Sequence, residues 1–487
     1  MAVTRILDDD IIRLYELGKP RNTKNLIATL FWGDSVRVIG EQDGEYVIEL
    51  WRREWNLDKN RYEWKKKIGS LPPKTQFRDQ PILKVRFLDV GQGDASIVET
   101  PQGKILLIDG GEEEHIRRYI NVAYSHILRE KPFHCDAIII THGDADHFAG
   151  LTKLVEASRS SASPLITSSR VFHNGLVKKS GDQVNDAFGK ILKVDGATYA
   201  IELEEDLLSV PDARMNRPFK AWKKALQQLN DKSGGVMTIQ RLQYGDDKKF
   251  EFLSPEGITV KVLGPIVEPV EGKPALRFLG EPGHRAPSVS HTINGHSIVL
   301  KLTYRNLRFL FGADLNEESE ERLLDRARTD GLSLTAEVLK VPHHGSAEFN
   351  PHMFKEISPV VSVVSSGDES VAKEYIHPRA GLMGALGKYS RASVSKPLVY
   401  ATEMVAFFER LGEIEALEVK PTGAKGKVLG RIHNAYRKTA FGIVHVRTDG
   451  ERVLVATHSG RDDKKESYSF RVDEQGGVTF EATTRII

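Results

Sequence analysis

In residues 137–150, AIIITHGDADHFAG, a run of branched apolar side chains gives way at once to two histidines and two aspartates within six residues. A short continuous apolar strand of this kind is buried on both faces. Its end therefore holds His142, Asp144, Asp146 and His147 beside a core that cannot solvate them. Turns after strands do carry Asp and His for solvation and backbone capping, but four unpaired ionisable groups there are costly. The pattern recurs: RFLFGAD ends in Asp314, and VLKVPHH ends in His343 and His344. Three distant strand ends thus present imidazoles and carboxylates. That nitrogen and oxygen set suits zinc, manganese or iron, and two ions sharing one carboxylate would use all of it.

The rest of the composition narrows the classes. With 487 residues the chain is long enough for two or three domains, one of them large. Lys plus Arg number 69 against 67 Asp plus Glu, so any nucleic-acid binding must come from local patches. The single cysteine, Cys135, rules out an internal disulfide and a thiolate-rich metal site, which suits a reducing compartment. The N-terminal stretch lacks the cationic flank and apolar core of a secretory signal, and no run approaches a membrane span. The expected location is the cytoplasm, with no membrane association.

Residues 1–80 read as a separate small β-rich module. A short helical start is followed by two alternating strands around a Gly-containing turn in GDSVRVIGEQDGEYVIELWRREW. The pattern is faintly SH3-like, and a plain packing or dimerisation extension is the alternative. From 82 to 396 the chain alternates strands and helices: ILKVRFLDV, ASIVETP and KILLIDGG as strands, EEEHIRRYINVAYSHILRE as helix, then the strand CDAIIITH. This predicts an α/β layered domain with ligands at the strand ends. An insert of about 151–290 opens on a helical LTKLVEASRS, carries the helix FKAWKKALQQLN and returns to strands at KFEFLSPEGITVKVLGP. Later come the hairpin HSIVLKLTYRNLRFLFGADL, the helix NEESEERLLDRART and the strand PVVSVVSSG. Residues 397–487 read as a β-rich extension that lengthens or caps the sheet.

In order, FLDVGQGDA, LLIDGG, THGDADHFAG, FLFGAD and LKVPHHGS resemble the metallo-β-lactamase fold, in particular the hydrolase domain of ComEC-type DNA-uptake competence proteins. The resemblance spans roughly 82–396 and implies an αββα sandwich. It also implies that His142 and Asp144 hold one divalent ion, zinc or manganese, while Asp146, His147 and His344 hold a second, with Asp314 bridging. Asp109 would fix a ligand histidine from behind, or simply cap the Gly-Gly turn. EYIHPR resembles a downstream motif of that branch and singles out His377, with Ile376 where a glycine would stand. One departure concerns the segment SHTINGHSIVLKL, where lactamase-like enzymes commonly place a third histidine of the first site. The spacing of Asn294, Ser297, Val299 and Leu300 matches the competence branch, which lacks that histidine. The directions of His291 and His296 are left open, and the first ion is expected to be weakly held. Asp89 and Asp94 are read as acids bonding a tight Gly91 and Gly93 loop on the pocket floor, not as ligands.

Two ions would activate a water for in-line displacement at phosphorus. Asp146 or Asp144 would take its proton, and His343 or His377 would protonate the leaving oxygen. Residues 420–438, KPTGAKGKVLGRIHNAYRK, place Lys420, Lys425, Lys427, Arg431, Arg437 and Lys438 without an acid, and ARMNRPFKAWKK is a second cationic stretch. Either could be only a solvated face. The leading expectation is a metal-dependent phosphodiesterase, a nuclease acting on DNA, with a possible protein partner at the N-terminal module. A hydrolase of a small phosphate ester such as a cyclic nucleotide is the second reading. A non-catalytic nucleic-acid-binding or interaction protein on a degenerate scaffold is the third.

Overall fold

The computed structural model describes residues 2–56, 58, 61–91, 93–156, 165–179, 187–280, 287–367, 377–394, 397–402, 407–415, 432–440, 442–458 and 467–481. Two sheets face each other over one apolar core. The larger has ten strands, in the order Thr238–Arg241, Arg170–His173, Ala137–Ile139, Ile105–Ile108, Ser96–Glu99, Leu83–Leu88, Ile443–Thr448, Arg452–His458, Ser467–Val472 and Val478–Phe480. The smaller has six: Ile258–Gly264, Val299–Tyr304, Leu307–Phe311, Val338–Lys340, Val361–Val364 and Leu398–Ala401. Val85, Phe87, Ile139 and Phe172 of the first meet Val260, Leu302, Phe309 and Val361 of the second.

Eight α-helices are described: α1 (His115–Ala123), α2 (Ser125–Leu128), α3 (Ala145–Glu156), α4 (Arg217–Lys232), α5 (Val289–Gly295), α6 (Glu317–Thr329), α7 (Pro351–Ile357) and α8 (Ala380–Tyr389). Apolar residues of α1, α3 and α4, such as Ile120, Leu151 and Trp222, join a second core with Ile97, Leu107 and Ile138 on the outer side of the larger sheet. Leu323 of α6, Phe354 of α7 and Leu386 of α8 do the same with Leu310 and Leu339 of the smaller sheet. The layers thus run helix, sheet, sheet, helix. The strands Leu83–Leu88, Ile105–Ile108, Ala137–Ile139, Val338–Lys340 and Val361–Val364 are buried throughout, which is why they read as continuous apolar runs rather than alternations. Within each sheet four consecutive strands are parallel. The loops leaving Ala137–Ile139, Leu307–Phe311 and Val338–Lys340 are the ones that carry the charged motifs.

Several expectations need correction. The N-terminal stretch has no helical start: Val3–Leu7 and Ile11–Glu16 are strands of an antiparallel seven-stranded sheet. Ile12 and Leu14 go into that sheet's core while Arg13 and Tyr15 are only partly buried, the period of two of a strand paired on both sides. KFEFLSPE is a 3-10 helix, Asp247–Glu256, not a strand, with Phe250 and Leu253 buried three residues apart on one side. The 151–290 stretch is only partly an insert, since Arg170–His173, Thr238–Arg241 and Ile258–Gly264 are strands of the two main sheets. What stands apart is a four-stranded sheet of Ile191–Val194, Ala197–Ala200, Lys273–Arg277 and Glu268–Val270. No correction is needed after residue 397, where most strands lengthen the main sheets, with Ile443–Thr448 beside Leu83–Leu88. No helix among the described residues is long and apolar enough to cross a membrane.

The N-terminal sheet is anchored to those late strands. Arg447, only 2% exposed, donates to the Trp32 carbonyl at 2.6 Å and to Asp34 Oδ1 at 2.8 Å. Burial would raise the Asp34 pKa, but Arg447 and then Lys84 hold it below the usual carboxylate range. Replacing Arg447 by methionine is expected to cost roughly 2 kcal/mol, because the half-buried Asp34 loses its main cation. Urea unfolding would register the loss, and limited proteolysis would show residues 1–80 cut first.

Candidate metal centre

Strand Ala137–Ile139 pairs in parallel with Ile105–Ile108, so their ends bring Thr141 and His142 beside Asp109. Asp109 is fully buried and takes a left-handed φ of 58°. Its Oδ1 accepts from the Thr141 amide at 2.8 Å; its Oδ2 accepts from the Thr141 hydroxyl at 2.7 Å and lies 2.9 Å from His147 Nδ1. The carboxylate thereby holds the proton on Nδ1 and turns Nε2 toward the cleft. The first turn of α3 supplies both Asp146 and His147. At Gly93, with φ 106°, a Cβ would lie 1.9 Å from the Asp146 carbonyl oxygen, so this glycine closes directly onto that turn.

The smaller sheet supplies the opposite wall. Asp314 follows Leu307–Phe311, and His344 follows Val338–Lys340 on a left-handed backbone with φ 50°. Asp314 Oδ2 lies 3.1 Å from His344 Nε2, 3.3 Å from His147 Nε2 and 3.9 Å from His142 Nε2. Asp146 Oδ2 is 3.6 Å from His344 Nε2. His142, His147 and Asp314 form one group with metal-ligand spacing, and Asp146, His147 and His344 form an overlapping one. The outer side of His344 is also fixed: Nδ1 donates to the Ser365 carbonyl at 3.1 Å, and Asp94 stands 3.3 Å away. Asp94 is in turn paired with the buried ammonium of Lys340. Asp94 also meets spacing criteria with Asp314 and His344, but its place behind Nδ1 and its lysine make it a support for the imidazole.

The Nε2 atoms of His142, His147 and His344 and Oδ1 of Asp314 are buried and make no hydrogen bond. Burial opposes charge on His147 and His344, yet Asp314 first, then Asp109 and Asp146 for His147 and Asp94 for His344, raise both pKa values well above normal. Burial and the neighbouring His147 instead push His142 down to about 3. Three unpartnered imidazole nitrogens converging with the carboxylates of Asp314 and Asp146 fit a divalent cation, with no thiolate to favour a softer one. Those five residues would hold it.

Asp144 does not join them. Its Oδ1 is 3.3 Å from Lys178 Nζ, in the segment after Arg170–His173. Ser297 stands where a third histidine was in question: its hydroxyl is 3.3 Å from His142 Nδ1 and accepts from the Asp314 amide at 3.3 Å. Asn294 Nδ2 lies 3.3 Å from His343 Nε2. His291 faces Glu348 at 2.8 Å, and His296 donates to the Arg277 carbonyl at 2.6 Å, so both turn away from the cluster. His343 and His377 lie side by side at its rim, ring centres 6.4 Å apart. Burial lowers both pKa values, His377 to about 4. The lowered values favour the neutral ring at pH 7, in which each imidazole keeps one N–H to donate. Lys420, Lys425, Lys427 and Arg431 lie outside the described residues. Arg437 and Lys438 fall on the strand Ile432–Ala440, opposite Glu409 and Phe408.

Sequence reasoning missed Thr141, Lys178 and Lys340. Only Lys340 gave a local signal, a lysine inside the apolar strand VLKV that calls for a buried carboxylate.

Two buried histidines outside the cluster set an acid limit. Burial lowers His173 to about 3 and His296 to about 4. Gly175 N donates to His173 Nδ1 at 3.1 Å, a bond that protonation would break. In the unfolded chain both titrate near 6.5, so the unfolded state binds more protons below that value and stability falls as pH drops toward 4 and 3. Each is expected to cost on the order of 2 kcal/mol at pH 5. Chemical denaturation at pH 7 and pH 5 checks this, and a His173→Gln variant should flatten the difference.

Residues 88–162 match the model of the metallo-beta-lactamase superfamily. The match takes in Asp94, Asp109, His142, Asp146 and His147, but not Asp314 or His344, which the fold adds from the smaller sheet. No curated protein matches the sequence.

Proposed function

We propose that the protein is a metal-dependent phosphodiesterase, a nuclease whose substrate is DNA. The observation that carries the hydrolase part is the convergence of unpartnered Nε2 atoms of His142, His147 and His344 on Asp314, in a chain whose residues 88–162 match a superfamily composed mostly of hydrolases. A bound divalent ion, zinc or manganese, would supply a Lewis acid for water attack at phosphorus. Asp146, held ionised by His147 and His344 against its burial, would take a proton from that water. His343 and His377 offer N–H donors to the phosphate oxygens, and an arriving anion would raise their pKa toward the range of a useful acid. Asp109, Thr141 and Ser297 orient the imidazoles.

The polymer part rests on charge around the cleft. Phe219 in the first turn of α4 packs against Gly143, and Arg217, Lys220 and Lys224 of the same helix are exposed. Spaced cations beside a phosphoesterase-type centre suit a phosphate chain. This favours a nucleic acid over a cyclic nucleotide, and the resemblance to competence-type hydrolases favours DNA.

The test supplies metal-stripped protein with Mn²⁺, Zn²⁺ or Mg²⁺ and single-stranded DNA, duplex DNA, RNA or cyclic nucleotides, beside an Asp146→Ala, His147→Ala double variant. Metal-dependent DNA cleavage lost in the variant is the expected result. Turnover of cyclic nucleotides alone moves the function to a small phosphate ester. Metal uptake with every substrate intact leaves a binding protein on this scaffold.

A further inference from the structure

Asp144 has the place of a metal ligand and the partner of a surface acid. Its carboxylate faces an ammonium, Lys178 Nζ at 3.3 Å, and it is absent from the groups with metal-ligand spacing that His142, Asp146, His147, Asp314 and His344 form. The contact is built into the backbone. Asn174 donates from its side chain to the His296 carbonyl at 3.0 Å and accepts from the Leu176 amide at 3.1 Å. The Lys178 carbonyl accepts the amide of Asn216 at 2.8 Å, and Asn216 in turn caps α4. Residues 174–178 are thus tied at both ends, and Lys178 leaves them beside Asp144.

The other parts of a first metal site point the same way. His142 directs Nε2 toward Asp314 and is held from behind by Thr141 and Ser297. His291 and His296, the nearest further imidazoles, are committed to Glu348 and to the Arg277 carbonyl. An ion at Asp144 would have one firm carboxylate and would sit against a fixed positive charge.

From this geometry we infer that the protein holds one divalent ion tightly, among His142, Asp146, His147, Asp314 and His344, and that the ammonium of Lys178 occupies the electrostatic place of a second ion beside Asp144. The inference rests on the metal-hydrolase reading but not on the identity of the substrate. Lys178 is a built-in monocation at the cleft: its side chain is 30% exposed and that of Asp144 26%, so solvent and a ligand reach the pair. One charge then comes from the chain and is present whatever the metal supply.

The experiment counts ions. Metal-stripped full-length protein is titrated with Mn²⁺ and, separately, Zn²⁺ by calorimetry, and the ions retained after desalting are measured by elemental analysis. The wild type, Asp144→Ala and Lys178→Arg are expected to keep one equivalent with similar affinity. Lys178→Ala is expected to take up a second equivalent, at least tenfold more tightly than any second equivalent in the wild type. Two tight equivalents in the wild type overturn the inference while leaving the hydrolase reading standing. Loss of the retained ion in Asp144→Ala, or no second equivalent in Lys178→Ala, overturns it as well. No retained ion in the wild type overturns both readings. Circular dichroism on each variant shows that the counts come from folded protein.

Discussion

Asp314→Ala is expected to lose tight metal retention and, with it, hydrolysis by more than about a hundredfold, since residues one step further from a metal already cost 10–100-fold. The reason is geometric. Oδ2 of this residue lies within 3.9 Å of all three Nε2 atoms of the cluster, and among the described residues no other carboxylate oxygen does. Burial disfavours the ionised form, but His344 and His147 hold its pKa well below the usual range, so the anion is present throughout the neutral range. Without it the imidazoles keep their places and lose the negative charge that makes the site worth entering for a cation. Elemental analysis after desalting and a nuclease assay measure the two losses. Asp109→Asn is the milder companion: the side chain still fits against Thr141, yet it no longer holds the His147 proton as a carboxylate does. A loss in the 10–100-fold range, smaller than for Asp314, is expected there.

Glu337→Ala is expected to destabilise the fold by about 3–5 kcal/mol, the cost of breaking a buried ion pair from one side. Glu337 is completely buried at the start of the Val338–Lys340 strand. One oxygen accepts from the Arg308 amide at 2.7 Å and from its Nε at 3.1 Å; the other accepts from Arg391 Nη1 at 2.8 Å. Arg391, itself 9% exposed, also donates to the Gly476 carbonyl at 3.0 Å. Removing the carboxylate strands one arginine in the interior and frees another at its edge. Burial works against the ionised acid, but the two arginines keep its pKa below normal. That stabilisation is present above the unfolded value near 4.3 and fades as pH falls through the folded one. Urea midpoints at pH 7 give the main effect. The gap between wild type and variant should narrow in acid, whereas a simple cavity would leave it unchanged.

The elements that were legible in the sequence are those whose own side chains determine them. CDAIIITH, FLFGAD and LKVPHHGS each announce a buried strand by apolar continuity and a charged end by contrast. The helix at Glu317–Thr329 carries its own cap in Asn316 and Ser319 and its acids in the first turn. What was hidden is what depends on distant partners. Lys178 lies in a polar stretch with no periodicity, and its importance comes from Asp144, a residue of another loop. Asp94 looked like turn chemistry because its partners, Lys340 and His344, come from the opposite sheet. Residues 3–16 were misread because short amphipathic segments satisfy both periods, and only the neighbouring strands at Ser35–Gln42 and Leu26–Phe31 choose between them. KFEFLSPE failed for a related reason: its aromatic spacing suits a strand locally, while the core needs Phe250 and Leu253 on one side.

Strand Leu83–Leu88 is flanked by Ser96–Glu99 on one side and by Ile443–Thr448 on the other, and Asp89 exchanges bonds with the Gly442 backbone. On a ribosome, the first edge finds its partner within a few residues of synthesis, while the second waits for several hundred more. At 5–20 residues per second that interval lasts on the order of tens of seconds. During it, LKVRFL offers an open, apolar ladder to any other nascent strand. Yield in the cell is therefore expected to depend on how well that edge is shielded in the meantime. Truncating the chain before Ile443 should turn a folding problem into an insolubility problem, even though the loops that carry His142, Asp314 and His344 would all have been made.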